Sequence, residues 1–412
     1  MAVNPPPLPE LRPVSGVRIA TTRAGVRYPD RDDLVLFELP EHASVAAMFT
    51  RNRFRAAPVR IAEEALAAAR AQGRAPRYLL INTGNANAGT GPAGTTAALA
   101  CCRALAELAG TETGSVLPFS TGVIGEPLAV DRIVAALPEV FVDLDEAGWV
   151  RAAGGILTTD SVPKGACVAV AGGGHVTGIA KGAGMIRPDM ATMLAFLATD
   201  LAVAPAILDV ILKRAVDASF NRITVDGDTS TNDAVVLVAA GRGDPVDDAD
   251  GARARALEDA LREACTQLAQ AIVRDGEGAT RFVAVEVAGA RDAAEALACA
   301  YTIAQSPLVK TALFAGDPNW GRILAAVGRA GIDDLDVDGV DLRIADSITG
   351  AEVIVAERGG IAAGYREQDG ARIMAAQELA LRIDLGRGDV SETVWTTDLS
   401  HEYVRINAEY RS

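Results

Sequence analysis

Ala191-Thr192 is the residue pair of this 412-residue chain that could do chemistry without a histidine. A threonine hydroxyl is a poor nucleophile unless a base stands beside it. Breaking the bond after Ala191 would supply that base as the new α-amino group of Thr192. Its ordinary pKa of about 8 leaves a useful fraction unprotonated at neutral pH. Ala191 is small and leaves the bond open to attack. One residue would then be both nucleophile and base, and the chemistry would be acyl transfer. The plain structural alternative is that Thr192 merely opens a buried strand, where β-branched residues are common.

An acyl transfer develops negative charge on the former carbonyl oxygen, and pre-aimed N–H or O–H donors stabilise it. Thr121 offers a hydroxyl and Gly122 an unobstructed N–H, just after a predicted strand over 115–119; by pattern alone, a Thr-Gly pair there reads as a turn. Glu277 lies between glycines, where an exposed turn is the plain reading. Asp226, Asp228 and Asp233 lack the glycine register and terminal glutamate of a calcium loop. The small-residue loop 83–91 lacks the lysine of a P-loop. It reads equally as a ligand-facing loop or as a turn packed on a helix.

The elements that must position these residues follow from periodicity. Residues 192–199 read as a strand apolar on both faces: Leu194, Phe196 and Ala198 on one, Met193, Ala195 and Leu197 on the other. Such a strand belongs in a sheet covered on both sides. A hairpin over 166–171 and 175–179 delivers Lys181 just ahead of it. Further strands are read at 17–20, 34–39, 44–48, 78–82 and 235–240. Helices are read at 61–71, 95–108, 130–137, 145–156, 206–219 and within 247–274. Beyond residue 281, strands at 282–287, 340–345, 352–356, 390–397 and 403–406 alternate with helices at 293–303, after 317 and at 370–382.

Composition bounds the function. Half the residues are hydrophobic, 23% are charged and the net charge is −15. A globular chain of this length holds more than one sizeable core. The acidity argues against nucleic-acid binding, which needs a basic face. An anionic substrate stays allowed, because a local cationic pocket can sit in an acidic protein. The five cysteines, Cys101, Cys102, Cys167, Cys265 and Cys299, are odd in number and lack C-x-x-C spacing, so reduced thiols are expected. His42, His175 and His401 are too few for a histidine metal site, and no metal is expected. No membrane span and no signal or transit peptide is read, so a cytoplasmic protein without a membrane partner is expected.

The string Lys181-Gly-Ala-Gly-Met-Ile-Arg-Pro-Asp-Met-Ala-Thr-Met-Leu194 resembles the signature of the ornithine acetyltransferase (ArgJ) family, and the resemblance extends over nearly the whole chain. Ser120-Thr-Gly-Val-Ile-Gly-Glu-Pro-Leu128, Thr158-Thr-Asp160, Phe220–Asp233, Asp275-Gly-Glu-Gly278 and Asn407-Ala-Glu-Tyr-Arg-Ser412 match further family segments. Arg55, Ser161 and Val162 depart from its usual residues and touch none of the proposed chemistry. The resemblance implies self-cleavage between Ala191 and Thr192, an acetyl-Thr192 intermediate, and an oxyanion hole of Thr121 and Gly122. It also implies substrate contacts at Thr158 or Thr159, Lys181, Thr192, Glu277, Asn407 and Ser412. By charge, Lys181 suits a carboxylate and Glu277 an ammonium group.

The implied reaction moves acetyl from N2-acetyl-L-ornithine to L-glutamate in arginine biosynthesis, without a cofactor; acetyl-CoA as a second donor stays open. A self-processing aminopeptidase with the same threonine is the rival reading. The implied fold is α/β (α+β), a layered αββα sandwich of the N-terminal-nucleophile type with a smaller α/β domain. The expected divisions are a core over 1–280, the smaller domain over 281–389 and a C-terminal segment, 390–412, returning to the active site. The two chains from one precursor are expected to pair as α2β2.

Overall fold

The structure, a computed structural model, describes residues 2–187, 193–243 and 245–409. Ala191, Thr192 and Ser412 lie outside these residues. The chain divides into two units. The larger comprises Pro7–Asn221 and Thr229–Ile272; the other takes the stretch up to Pro6, Arg222–Asp228 and the chain from Val273 on.

In the larger unit the strands are β1 (Arg18–Thr22), β2 (Leu34–Glu38), β3 (Ser44–Phe49), β4 (Tyr78–Asn85), β5 (Val116–Val123), β6 (Lys164–Ala169), β7 (His175–Lys181), β8 (Leu194–Thr199), β9 (Ala202–Val203), β10 (Ala234–Ala239) and β11 (Pro245–Val246). Its helices are α1 (Ala57–Ala71), α2 (Gly91–Ala109), α3 (Val130–Val142), α4 (Trp149–Gly155), α5 (Pro205–Asp217) and α6 (Ala252–Arg274), the last reaching the division. One sheet runs β1-β2-β4-β5, the other β3-β10-β8-β7-β6; β9 and β11 form a short separate pair. Leu36, Leu34 and Leu80 turn outward under Cys102, Leu105 and Ile133 of α2 and α3. On the inner face Val35, Phe37, Ile81 and Phe119 meet Ile179, Leu194, Phe196 and Val236 of the second sheet. The rings of Phe37 and Phe119 lie 5.4 and 5.2 Å from that of Phe196. α5 packs on β3 and β10, and Arg214 of α5 bonds Glu258 of α6. The layers are therefore helix, sheet, sheet, helix, the expected αββα sandwich. The two-faced pattern of residues 193–199 reflects this, since Leu194, Phe196 and Ala198 face the sheet–sheet core.

In the second unit the strands are β12 (Phe282–Ala290), β13 (Asp341–Asp346), β14 (Glu352–Glu357), β15 (Gly360–Ile361), β16 (Glu378–Asp384) and β17 (Val390–Thr397). Its helices are α7 (Ala293–Ala304), α8 (Pro307–Ala315), α9 (Trp320–Gly328), α10 (Glu367–Met374) and α11 (His401–Ala408). The sheet order is β15-β14-β13-β16-β12-β17. One face packs on α7, α9 and α10 through Val283, Val285, Leu342, Leu379 and Leu381.

Five sequence expectations change here. Residues 370–382 read as one helix, but only α10 is helical and β16 follows. Leu379, Leu381 and Ile383 point into the core while β12 and β13 pair both edges of β16, so tertiary pairing overrides the helical propensity of Ala-Gln-Glu-Leu. Residues 403–406 read as a strand but belong to α11, whose start Ser400 caps by accepting from Glu402 N and Tyr403 N. α8, started by the Ser306-Pro307 cap signal, was not anticipated. The unit division falls at Val273 rather than 281. β17 pairs β12 within the smaller unit's own sheet, so 390–397 is no separate segment.

Candidate active site

Lys181 is the last residue of β7 and stands opposite Leu194, the first of β8. Thr121 and Gly122 are in β5, which runs on past Phe119 where the sequence suggested a turn. Across from them β4 carries a bulge, with Asn85 facing both Thr121 and Val123. Such bulges re-aim side chains beside functional sites. Gly122 has φ +134°, and a Cβ there would lie 2.3 Å from the Gly84 carbonyl carbon, so only glycine fits.

Lys181 Nζ donates to Thr121 Oγ1 at 3.2 Å, joining the second sheet to the first. Both residues are buried. The Asp160 carboxylate accepts from Lys164 Nζ at 2.7 Å, from Gly182 N at 2.6 Å and from Thr158 N at 3.1 Å. One carboxylate thus ties the Thr158 turn to the backbone just after Lys181. Burial alone would raise the Asp160 pKa. Lys164 and Lys181 outweigh it and hold the group well below the usual carboxylate range. Thr158 is half-buried and Thr159 exposed.

Asp233, immediately before β10, behaves oppositely. Burial pushes its pKa well above the usual range, against a Ser230 hydrogen bond and the charge of Lys181. Its Oδ2 has no hydrogen-bond partner among the described residues. Beside it, Asn232 Nδ2 donates to Ala86 O and to Ser120 O, at 2.5 and 2.9 Å, and so ties the residue before Thr121 to the β4 side of the sheet. Ser120 Oγ donates to Asn82 Oδ1 at 2.6 Å, and Asn82 Nδ2 to Asn85 O at 2.9 Å. The loop 83–91 is therefore knitted by asparagine side chains, which is the packed-turn reading.

In the second unit Glu277 is buried, not exposed as its turn suggested, and its Oε2 accepts from Asn407 Nδ2 at 2.8 Å. Two residues assigned to substrate by resemblance are thus bonded to each other. Gly278 has φ +69°, and a Cβ there would meet Tyr403 N at 2.3 Å, so the turn sits flush on the start of α11. Tyr403 OH donates to Asp226 Oδ2 at 3.3 Å. Its pKa is raised by burial first and then by Asp226 and Glu277.

The sequence does not single out Asp160, and it marks 220–233 only as a segment that lines or supports the site, without choosing Asn232 or Asp233. Only the Lys164 spacing from Asp160 hinted at a pair. It also missed Lys310, buried in the second unit, whose Nζ donates to the Thr396 and Thr397 hydroxyls at 3.0 and 3.2 Å. Among the described residues no cluster of histidine, cysteine and acid side chains is able to hold a metal ion, and no helix is long and apolar enough to cross a membrane.

The ArgJ family model matches residues 18–412. The chain is 52% identical over 417 aligned residues to the arginine biosynthesis bifunctional protein ArgJ of Pseudomonas syringae pv. tomato, covering 100% of both. Its identity to the protein of that name from Pseudomonas fluorescens is also 52%, again over 100% of both. Among solved structures, the arginine biosynthesis bifunctional protein ArgJ of Bacillus halodurans is 37% identical. The match covers 53% of this chain and 99% of that one, with a TM-score of 0.49. Ornithine acetyltransferase of Mycobacterium tuberculosis, complexed with ornithine, is 35% identical over 43% of this chain and 95% of that one, with a TM-score of 0.40.

Proposed function

Because the chain belongs to the ArgJ family, we propose that it moves an acetyl group from N2-acetyl-L-ornithine to L-glutamate, yielding L-ornithine and N-acetyl-L-glutamate in arginine biosynthesis. The observation that carries this reading is the buried contact of Lys181 Nζ with Thr121 Oγ1, in a chain that matches the family from residue 18 to its end. A buried cation against a hydroxyl is an arrangement suited to developing negative charge.

The proposed reaction has two stages. In maturation the Thr192 hydroxyl attacks the Ala191 carbonyl, the amide becomes an ester, and water releases chains of 191 and 221 residues. In turnover Thr192 Oγ attacks the acetyl carbonyl while its own amino group takes the proton. Thr121 and Gly122 stabilise the oxyanion, and ornithine leaves with the proton. Glutamate then enters, and its amine accepts the acetyl group and releases Thr192. Lys181 is the proposed partner of a substrate carboxylate, with Thr158 or Thr159 beside it; Glu277, Asn407 and Ser412 are the proposed remaining contacts. Cytoplasmic location, an α2β2 assembly and independence of any cofactor belong to the same proposal.

The test is acetyl transfer with both substrates varied. Parallel double-reciprocal lines support the acetyl-enzyme, whereas intersecting lines contradict it. Acetyl release to water with no transfer to glutamate would favour the aminopeptidase reading. Acetyl-CoA offered as the only donor decides whether glutamate is also acetylated directly.

A further inference from the structure

We infer that Lys181 is a positioning residue for the oxyanion hydroxyl: its ammonium group engages a lone pair of Thr121 Oγ1 and so frees and polarises the Thr121 hydroxyl proton for the reacting carbonyl oxygen. The inference rests on the acyl-transfer reading above and gives Lys181 a role beyond binding a substrate carboxylate.

Direction decides the argument. An ammonium group only donates, whereas a threonine hydroxyl has one proton and two lone pairs. At 3.2 Å, Lys181 Nζ is therefore the donor and Thr121 Oγ1 the acceptor. The hydroxyl proton must point elsewhere, and among the described residues this contact is the only hydrogen bond of that hydroxyl. Threonine is stiff at χ1, so the aim of the hydroxyl is set by the β5 backbone. A hydroxyl that accepts from a cation is a stronger donor, and burial of both residues strengthens the coupling.

The lysine is itself held in place. It ends β7 opposite Leu194, and the next residue, Gly182, donates its N–H to Asp160. Its charge bears on both Asp160 and Asp233, lowering the pKa of each, and Asp160 is in turn anchored by Lys164. Thr121 is fixed from its own side through Ser120, whose carbonyl and hydroxyl are both engaged.

A carboxylate clamp and a polarising lysine differ in what they affect. The experiment compares wild type, Thr121→Val, Lys181→Met and the double variant, as rates per processed chain. The donors are N2-acetyl-L-ornithine and its α-carboxamide. Thr121→Val is expected to lose about a hundredfold. Lys181→Met is expected to lose about tenfold or more in kcat with both donors. The double variant should stay within about threefold of Thr121→Val, because the second change removes a partner already gone. Losses that multiply overturn the inference, as does a Lys181→Met loss confined to KM for the acid. Should Lys181→Met fail to fold or to mature, Lys181→Arg and Lys181→Gln carry the test. Their kcat must fall in that order with both donors, and kcat equal to wild type in both overturns the inference. A wild-type protein that transfers no acetyl group sinks the proposed function itself. Transfer by wild type with multiplying losses sinks only the role of Lys181.

Discussion

Asp160 should be the costliest single charge to remove from the larger unit. Asp160→Asn breaks the buried ion pair with Lys164, and breaking such a pair costs about 3–5 kcal/mol, readable in urea unfolding. The folded pKa of Asp160 lies below its unfolded value. Its contribution is thus present above about pH 4 and is lost as pH falls further, so the gap between wild type and Asp160→Asn should narrow in acid. Lys310 has linkage of the same sign in a higher pH window, but there it is the neutral form that the fold favours. Burial pushes its pKa down to about 8, against the pull of Asp398 and Asp226, below the unfolded value of 10.5. The fold therefore releases that proton first, and wild type should gain stability relative to Lys310→Met between pH 8 and 10.5, by an amount on the order of 2 kcal/mol. A gap that does not move with pH would remove this reading of Lys310. At this scale the sequence singled out Thr121, Gly122, Lys181 and Glu277 through residue type and motif, and the structure places Thr121 against Lys181 and Glu277 against Asn407. It did not single out Asp160, or choose Asp233 within the 220–233 segment, because whether a carboxylate is buried, paired or orphaned depends on what the fold brings over it.

Caps and bulges decide which elements present those residues. Ser400 Oγ accepts two N–H groups at the start of α11 and donates to Gly278 O at 2.6 Å. Ser400→Ala should cost about 1 kcal/mol by thermal or chemical unfolding. It should also loosen the Asn407–Glu277 contact, since α11 carries Asn407. An unchanged stability would show that the cap is dispensable. At Gly122 a methyl group has no room against Gly84, so Gly122→Ala should abolish transfer even in protein that still folds. The strands of the larger unit were legible because both faces of β8 and the outward alternation of β2 carry plain apolar patterns. β16 was not, because its Ala, Gln, Glu and Leu residues favour a helix until two neighbouring strands pair with it. α11 was not, because Tyr-Val-Arg-Ile alternates like a strand and only its cap marks a helix.

For the whole molecule, the proposed cut falls between β7 and β8, which are neighbours in one sheet. The chain ending at residue 191 would keep β3, β6 and β7, and the chain starting at 192 would supply β8 and β10. Shared sheet hydrogen bonds and the Phe37–Phe196–Phe119 contacts would hold the two together. The processed chains should therefore co-elute on gel filtration in native buffer and separate only in denaturant; separation in native buffer would contradict this packing. The sandwich itself was anticipated. The exchange of Arg222–Asp228 to the second unit was not, because it depends on Ile223 and Thr224 meeting Trp395, far along the chain.

The intact mass of the purified protein, taken under denaturing conditions before and after exposure to N2-acetyl-L-ornithine without glutamate, is the measurement to make first, beside Thr192→Ala. Wild type should resolve into chains of about 20 and 23 kDa, and the larger should gain one acetyl group that glutamate then removes. Thr192→Ala should remain a single chain of 42.6 kDa that takes up nothing. A wild-type protein that stays uncut yet still transfers acetyl groups would remove the amino-terminal base, and an uncut, inactive one would leave only the fold.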